Sequence, residues 1–135
     1  MITWLDNNPK ILKWGSECIT VPYQMTHYEK NGDINLKNHC YYPDFYYEMM
    51  GGDGLLRKVI AEVKPMKEYL LVQQLNENSM SIPDKATMKK LKSFEYDLKM
   101  SQKNRDKWSA MIRFCEKRGW EFIIITEEHL KKFKL

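Results

Sequence analysis

The chain has no stretch that approaches the roughly 20 apolar residues of a membrane span, and no basic-then-apolar leader opens it. Cysteine is scarce. Cys18, Cys40 and Cys115 are odd in number, far apart and without a C-x-x-C pair. That spacing excludes a disulfide framework or a closed zinc site as the organising element and makes a reducing intracellular compartment the expectation. There is no internal repeat and no Gly/Ser/Pro-rich linker, so one domain over residues 1–135 is expected. What is present is core material: 43% hydrophobic and 13% aromatic residues exclude disordered and low-complexity classes.

Charge is distributed unevenly. Residues 1–65 carry seven Lys/Arg and eight Asp/Glu, whereas residues 66–135 carry fifteen and ten. The densest segment, Lys85 to Arg118, holds eleven basic and four acidic groups. Such a balance suits a polyanionic partner, because Lys and Arg contacts to phosphates release counterions; it equally suits a solvated helical surface.

Along the chain, Ile2 to Asp6 reads as a short helix ended by Asn7-Asn8-Pro9. Ile11 to Tyr23 is strand-like, and Tyr28 to Asn38 is polar with a turn signal at Asn31-Gly32-Asp33. An aromatic strand over Cys40–Tyr47, a reversal at Gly51-Gly52-Asp53-Gly54 and a strand over Arg57–Lys64 stopped by Pro65 predict an antiparallel hairpin. Tyr69 to Leu75 reads as a short helix or a loop. Asp84 is placed to cap a helix from Lys85 with Met88, Leu91, Phe94 and Leu98 on one stripe. A second helix is expected from Arg105 to Lys117, capped by Asn104, stopped by Gly119 and packed through Trp108, Met111, Ile112 and Cys115. Phe122-Ile123-Ile124-Ile125 reads as a strand buried on both faces, followed by a closing helix from Glu127 to Phe133. The expected fold is therefore α/β or α+β, a mixed β-sheet flanked by helices.

The chemistry-bearing pattern is Pro43-Asp44 followed, eighteen residues later, by Glu62-x-Lys64. Alternation along a strand puts Glu62 and Lys64 on one face about 7 Å apart, with Lys58 and Ile60, while Val59, Ala61 and Val63 point into the core. An ionised Glu within an apolar strand is costly unless solvated, paired or bound to a cation. The hairpin brings Asp44 toward Glu62, and a hard divalent cation such as Mg2+ relieves the repulsion between two carboxylates. A metal there can polarise a phosphate oxygen and acidify a bound water, with Lys64 orienting that water or offsetting developing charge. An ordinary surface Glu–Lys pair beside a Pro-Asp turn is the plain alternative.

This arrangement resembles the PD-(D/E)xK nucleases, and within them the small head completion nucleases of T-even-like tailed phages. The likeness is carried in order by Trp4-x-Asp6-x-Asn8-Pro9, Trp14-Gly15-Ser16-Glu17, Val21-Pro22-Tyr23, Tyr42-Pro43-Asp44-Phe45 and Ile60-Ala61-Glu62-Val63-Lys64-Pro65. Lys107-Trp108, Gly119-Trp120-Glu121-Phe122 and Thr126-Glu127 continue it. The resemblance implies a restriction-endonuclease-like core and a Mg2+- or Mn2+-dependent DNA endonuclease. Asp44 and Glu62 would be metal ligands and Lys64 the catalytic lysine. Members of that branch carry a further acidic residue on a helix upstream of the Trp-x-Asp segment. This chain starts at Met1, so that helix is expected to be largely missing, with Glu17 as the nearest stand-in ligand. DNA contacts are expected at Lys67, Lys103, Arg105 and Lys107, and His39 is a lesser candidate for phosphate or metal.

The implied partners are DNA and the portal, neck or head proteins of a phage particle, in the host cytoplasm during assembly. A duplex cutter of this size is expected to act as a homodimer or within a larger assembly. A head-completion or neck component that keeps the fold with little turnover, and a DNA-junction resolvase, are the rival readings.

Overall fold

The computed structural model describes residues 1–82, 85 and 87–132. The cap expected at Asp84 and the helix end expected at Phe133 lie outside the described residues. In chain order the elements are α1 (Ile2–Asn7), β1 (Ile11–Ser16), β2 (Val21–Tyr28), β3 (Ile34–Tyr41), β4 (Phe45–Met50), β5 (Leu56–Val63), α2 (Met66–Asn76), α3 (Met88–Arg118), β6 (Glu121–Ile125) and α4 (Glu127–Lys132). Strands β1, β4, β5 and β6 form one mixed sheet in that order; β1, β4 and β5 run antiparallel, and β6 is parallel to β5. The expected β4–β5 hairpin is present, with its reversal stabilised by the Gly51 N–H donating to the Leu55 carbonyl at 2.8 Å.

Helices cover both faces of the sheet. On one face Ile60 packs with Ala110, Met111 and Cys115 of α3, joined by Tyr46, Phe114, Trp120 and Phe122. On the other, Tyr47, Val59, Ala61 and Ile125 pack with Leu5 of α1 and Leu130 of α4. Strand β5 is consequently buried on both sides, as a parallel-paired central strand requires. Ile60, placed by alternation on the Glu62 face, is fully enclosed under α3 rather than part of an open surface.

Three expectations change. The strand-like run from Ile11 to Tyr23 is divided: β1 joins the main sheet, whereas β2 pairs with β3 in a separate ribbon whose inner residues Val21, Tyr23 and Tyr41 share the α3 core. The polar Tyr28–Asn38 stretch is the turn and outer strand of that ribbon, which docks on α3 where the Thr26 N–H donates to Asp106 Oδ2 at 3.1 Å. The two helices expected before and after Asn104 are one helix of 31 residues. No Gly or Pro interrupts 88–118, and one Asn costs a helix only a few tenths of a kcal/mol, so packing carries the helix through. Asn104 is buried in its middle, and the cap is Thr87, whose hydroxyl accepts the Lys90 N–H at 3.3 Å. Gly119 does stop the helix, in the left-handed conformation (φ 69°) that favours glycine. The open reading at 69–75 resolves as helix α2.

Met111 has no exposed surface, whereas Ile112, expected beside it in the core, is 47% exposed. Urea titration should therefore show Met111→Ala losing about 2–5 kcal/mol and Ile112→Ala less than about 1 kcal/mol. Equal losses would contradict this packing.

Candidate active site

Strands β4 and β5 are in register Phe45 opposite Ala61, so the next step of the same ladder sets Asp44 opposite Glu62. Two hydrogen bonds then cross between them. The Asp44 N–H donates to Glu62 Oε2 at 3.3 Å, and the Val63 N–H donates to Asp44 Oδ2 at 2.8 Å. The two carboxylates thus share one end of the sheet. Glu62 is almost wholly buried and Asp44 half-buried. Burial raises the Glu62 carboxyl above its ordinary range; the Asp44 charge adds to the rise, and Tyr41 and Lys64 oppose it without cancelling it. Lys64 lies on the same face, as alternation along β5 predicts, with Nζ 3.9 Å from Glu62 Oε1. That is a long, loose pairing.

A second buried carboxylate on the same sheet shows what full pairing does. Burial pushes Glu48 upward too, but Lys13 (3.2 Å), Tyr46 and Lys58 (3.7 Å) together bring it below the usual range. Glu48 is a satisfied structural charge. Glu62 is not, and with Asp44 it offers hard oxygen donors that could hold a divalent cation.

Cations gather around this pair. Lys107, half-buried on α3, sits with Nζ 4.6 Å from the centroid of the Tyr41 ring. Its ammonium is destabilised first by burial, then by Lys103 and Lys64, while Glu62 and Asp44 partly offset the loss. Lys103 and Lys107 are four residues apart on one helix face. Arg105 is not with them: it faces the groove of about 620 Å³ between α2, α3 and β6, beside Trp108 and Met66. Lys67 is exposed on the first turn of α2, whose leading N–H, that of Met66, donates to Glu127 Oε2 at 2.8 Å.

Glu17 does not join the carboxylates. Among the described residues no three His, Cys, Asp or Glu side chains converge on a common point. After β1 the chain turns sharply, with Glu17 at φ 51° and Gly15 so close to Cys18 that a Cβ there would lie 2.7 Å from Sγ. This turn brings the Glu17 N–H to the Asp44 carbonyl at 3.1 Å, so its backbone supports the site while its side chain stays exposed. His39 stacks on Tyr23 in the ribbon, ring centroids 5.6 Å apart.

Sequence reading missed Tyr41. It ends β3, is 8% exposed, and its Oη faces Glu62 but stops short of a well-formed hydrogen bond. Pro43 was the available signal: the proline breaks the aromatic run, so Tyr41 belongs to the ribbon and meets the site from across it.

Because the folded chain holds the Glu62 proton to higher pH than the unfolded chain does, metal-free stability should fall as pH rises above the ordinary carboxylate range. In EDTA at about pH 8, Glu62→Gln should melt above the wild type. The gap should close toward about pH 3, well below the ordinary carboxyl range, where the carboxyl is protonated in both states. A variant that melts lower than the wild type at the higher pH would contradict the assigned burial.

The profile of the family described as "TnsA-like endonuclease N terminal" matches residues 8–127. The chain is 30% identical over 128 residues to the Head completion nuclease of Enterobacteria phage T4, an alignment that covers 95% of this chain and 73% of that protein. No solved structure gives a significant match. The mixed sheet with helices on both faces, the hairpin that joins Asp44 to Glu62 and the match over 8–127 agree. The chain belongs to the TnsA-like endonuclease N-terminal family, with a restriction-endonuclease-like fold.

Proposed function

We propose that this chain is a Mg2+- or Mn2+-dependent endodeoxyribonuclease that acts on phage DNA during head completion. The observation that carries the reading is the buried, underpaired Glu62 held against Asp44, with Lys64 on the same face. A divalent cation held by these two carboxylates supplies a Lewis acid for a phosphate oxygen and a water acidified toward hydroxide. Lys64, loosely paired to Glu62, is free to turn its ammonium to the attacking water and to the charge that develops on the phosphate. Lys103 and Lys107 bind the phosphates that flank the cut; their mutual repulsion with Lys64 is relieved when an anionic strand lies between them. The setting, head completion, follows the T4 relative, which is a head completion nuclease.

A second reading, a head component with little turnover, is favoured by one observation: among the described residues no third carboxylate joins Asp44 and Glu62, and Glu17 stays out. Plasmid cleavage separates the two. With Mg2+ or Mn2+, purified protein should nick supercoiled DNA, EDTA should stop it, and Asp44→Ala and Lys64→Ala should each lower the rate by at least about 100-fold. A wild-type protein that binds DNA without cutting it under either metal would favour the structural role.

Binding can be read apart from cleavage, in EDTA. Lys103→Ala and Lys107→Ala should each weaken DNA binding regardless of sequence and reduce the slope of log K against log salt by about 1. Arg105→Ala should leave the slope unchanged. An Arg105 effect as large as that of Lys107 would show the strand following the α2–α3 groove instead.

A further inference from the structure

Three buried side-chain atoms lack a hydrogen-bond partner among the described residues: Asn104 Nδ2, Trp108 Nε1 and Tyr41 Oη. Tyr41 Oη is the one that faces the carboxylate pair. Resting on the metal-site reading above, we propose that Tyr41 is a positioning residue whose hydroxyl fixes the Glu62 carboxylate in its cation-binding orientation.

Packing settles where this hydroxyl is. The Tyr41 ring lies edge-on to Tyr23, centroids 6.4 Å apart at 81°, within the α3 core, and Lys107 covers it at 4.6 Å. A ring held on these sides cannot swing away, so Oη has only its proton to rotate. The charged acceptors that act on it are the carboxylates of Glu62 and Asp44.

Glu62 needs such a donor. Its own contacts are long, 3.3 Å from the Asp44 N–H and 3.9 Å from Lys64 Nζ, which leaves the carboxylate freedom to turn. A cation must remove that freedom when it binds, and a hydroxyl already buried beside the carboxylate has only to turn its proton to hold it there. Hydrogen bonds to ligating carboxylates act in this way and commonly change metal affinity by about 10–100-fold. A buried hydroxyl without a partner is otherwise unfavourable, and a phenylalanine would fill the same space without that penalty.

Tyr41→Phe keeps the ring and removes Oη. Calorimetric titration of Mn2+ into the intact, DNA-free protein should show binding by the wild type and about 10-fold weaker binding by Y41F. The melting temperature in EDTA should be unchanged or higher, since no protein hydrogen bond is lost. Lys107→Met, which keeps the cover over the ring but removes its charge, should bind Mn2+ at least as tightly as Y41F does. Y41F affinity within about twofold of a binding wild type would overturn the proposal, as would a Lys107→Met loss larger than that of Y41F, which would mark a general packing effect. If the wild type itself binds no Mn2+, the metal-site reading fails first and this proposal fails with it.

Discussion

Two hydrogen bonds run in opposite directions between the same pair of strands, and the candidate site depends on both. The backbone of Asp44 donates to the side chain of Glu62, and the backbone next to Glu62, at Val63, donates to the side chain of Asp44. Each carboxylate is anchored by the peptide group of the opposite strand, so their spacing follows sheet geometry rather than side-chain entropy. That anchoring requires the β4–β5 register, which rests in turn on the Gly51–Gly54 reversal at the far end of the hairpin and on the enclosed Val59-Ile60-Ala61 segment. The packed sheet thereby holds two like charges together at an electrostatic cost, and a cation can repay that cost.

The surrounding elements deliver groups to this end of the sheet from separate parts of the chain. The turn after β1 brings a backbone N–H to the Asp44 carbonyl, the ribbon brings Tyr41, and the middle of α3 brings Lys107. The start of α2 is tied down by Glu127, whose carboxylate is stabilised by the backbone N–H groups at its own position and at Met66. Glu48 offers the contrast within the same sheet: a buried carboxylate with two lysines and a tyrosine around it has no charge to spare for a ligand. Sites and structural ion pairs differ here in pairing, not in burial.

Local pattern revealed what local geometry governs. The hairpin, the shared face of Glu62 and Lys64, the approach of Asp44 and the stop at Gly119 follow from alternation, a glycine turn and a left-handed cap. Long-range packing decided the remainder. Asn104 has the chemistry of a helix cap, but the absence of any Gly or Pro nearby and the core under Trp108 and Met111 keep α3 continuous through it. The ribbon is harder to read because its outer strand is exposed throughout 34–40, and the brief alternation of Ile34 and Leu36 is set among polar residues. Arg105 looked like part of a basic row with Lys103 and Lys107, yet helical rotation turns it to another groove. Glu17 shares a motif with the site in sequence, while its left-handed turn contributes the backbone and leaves the carboxylate outside.

Under the proposed function, Asp44 and Glu62 form one cation site. Anomalous diffraction from crystals soaked in Mn2+ tests it most directly. A cation shared by the two carboxylates gives a peak between them that disappears in Asp44→Asn crystals. A peak elsewhere, or none at a concentration that supports cleavage, would contradict it.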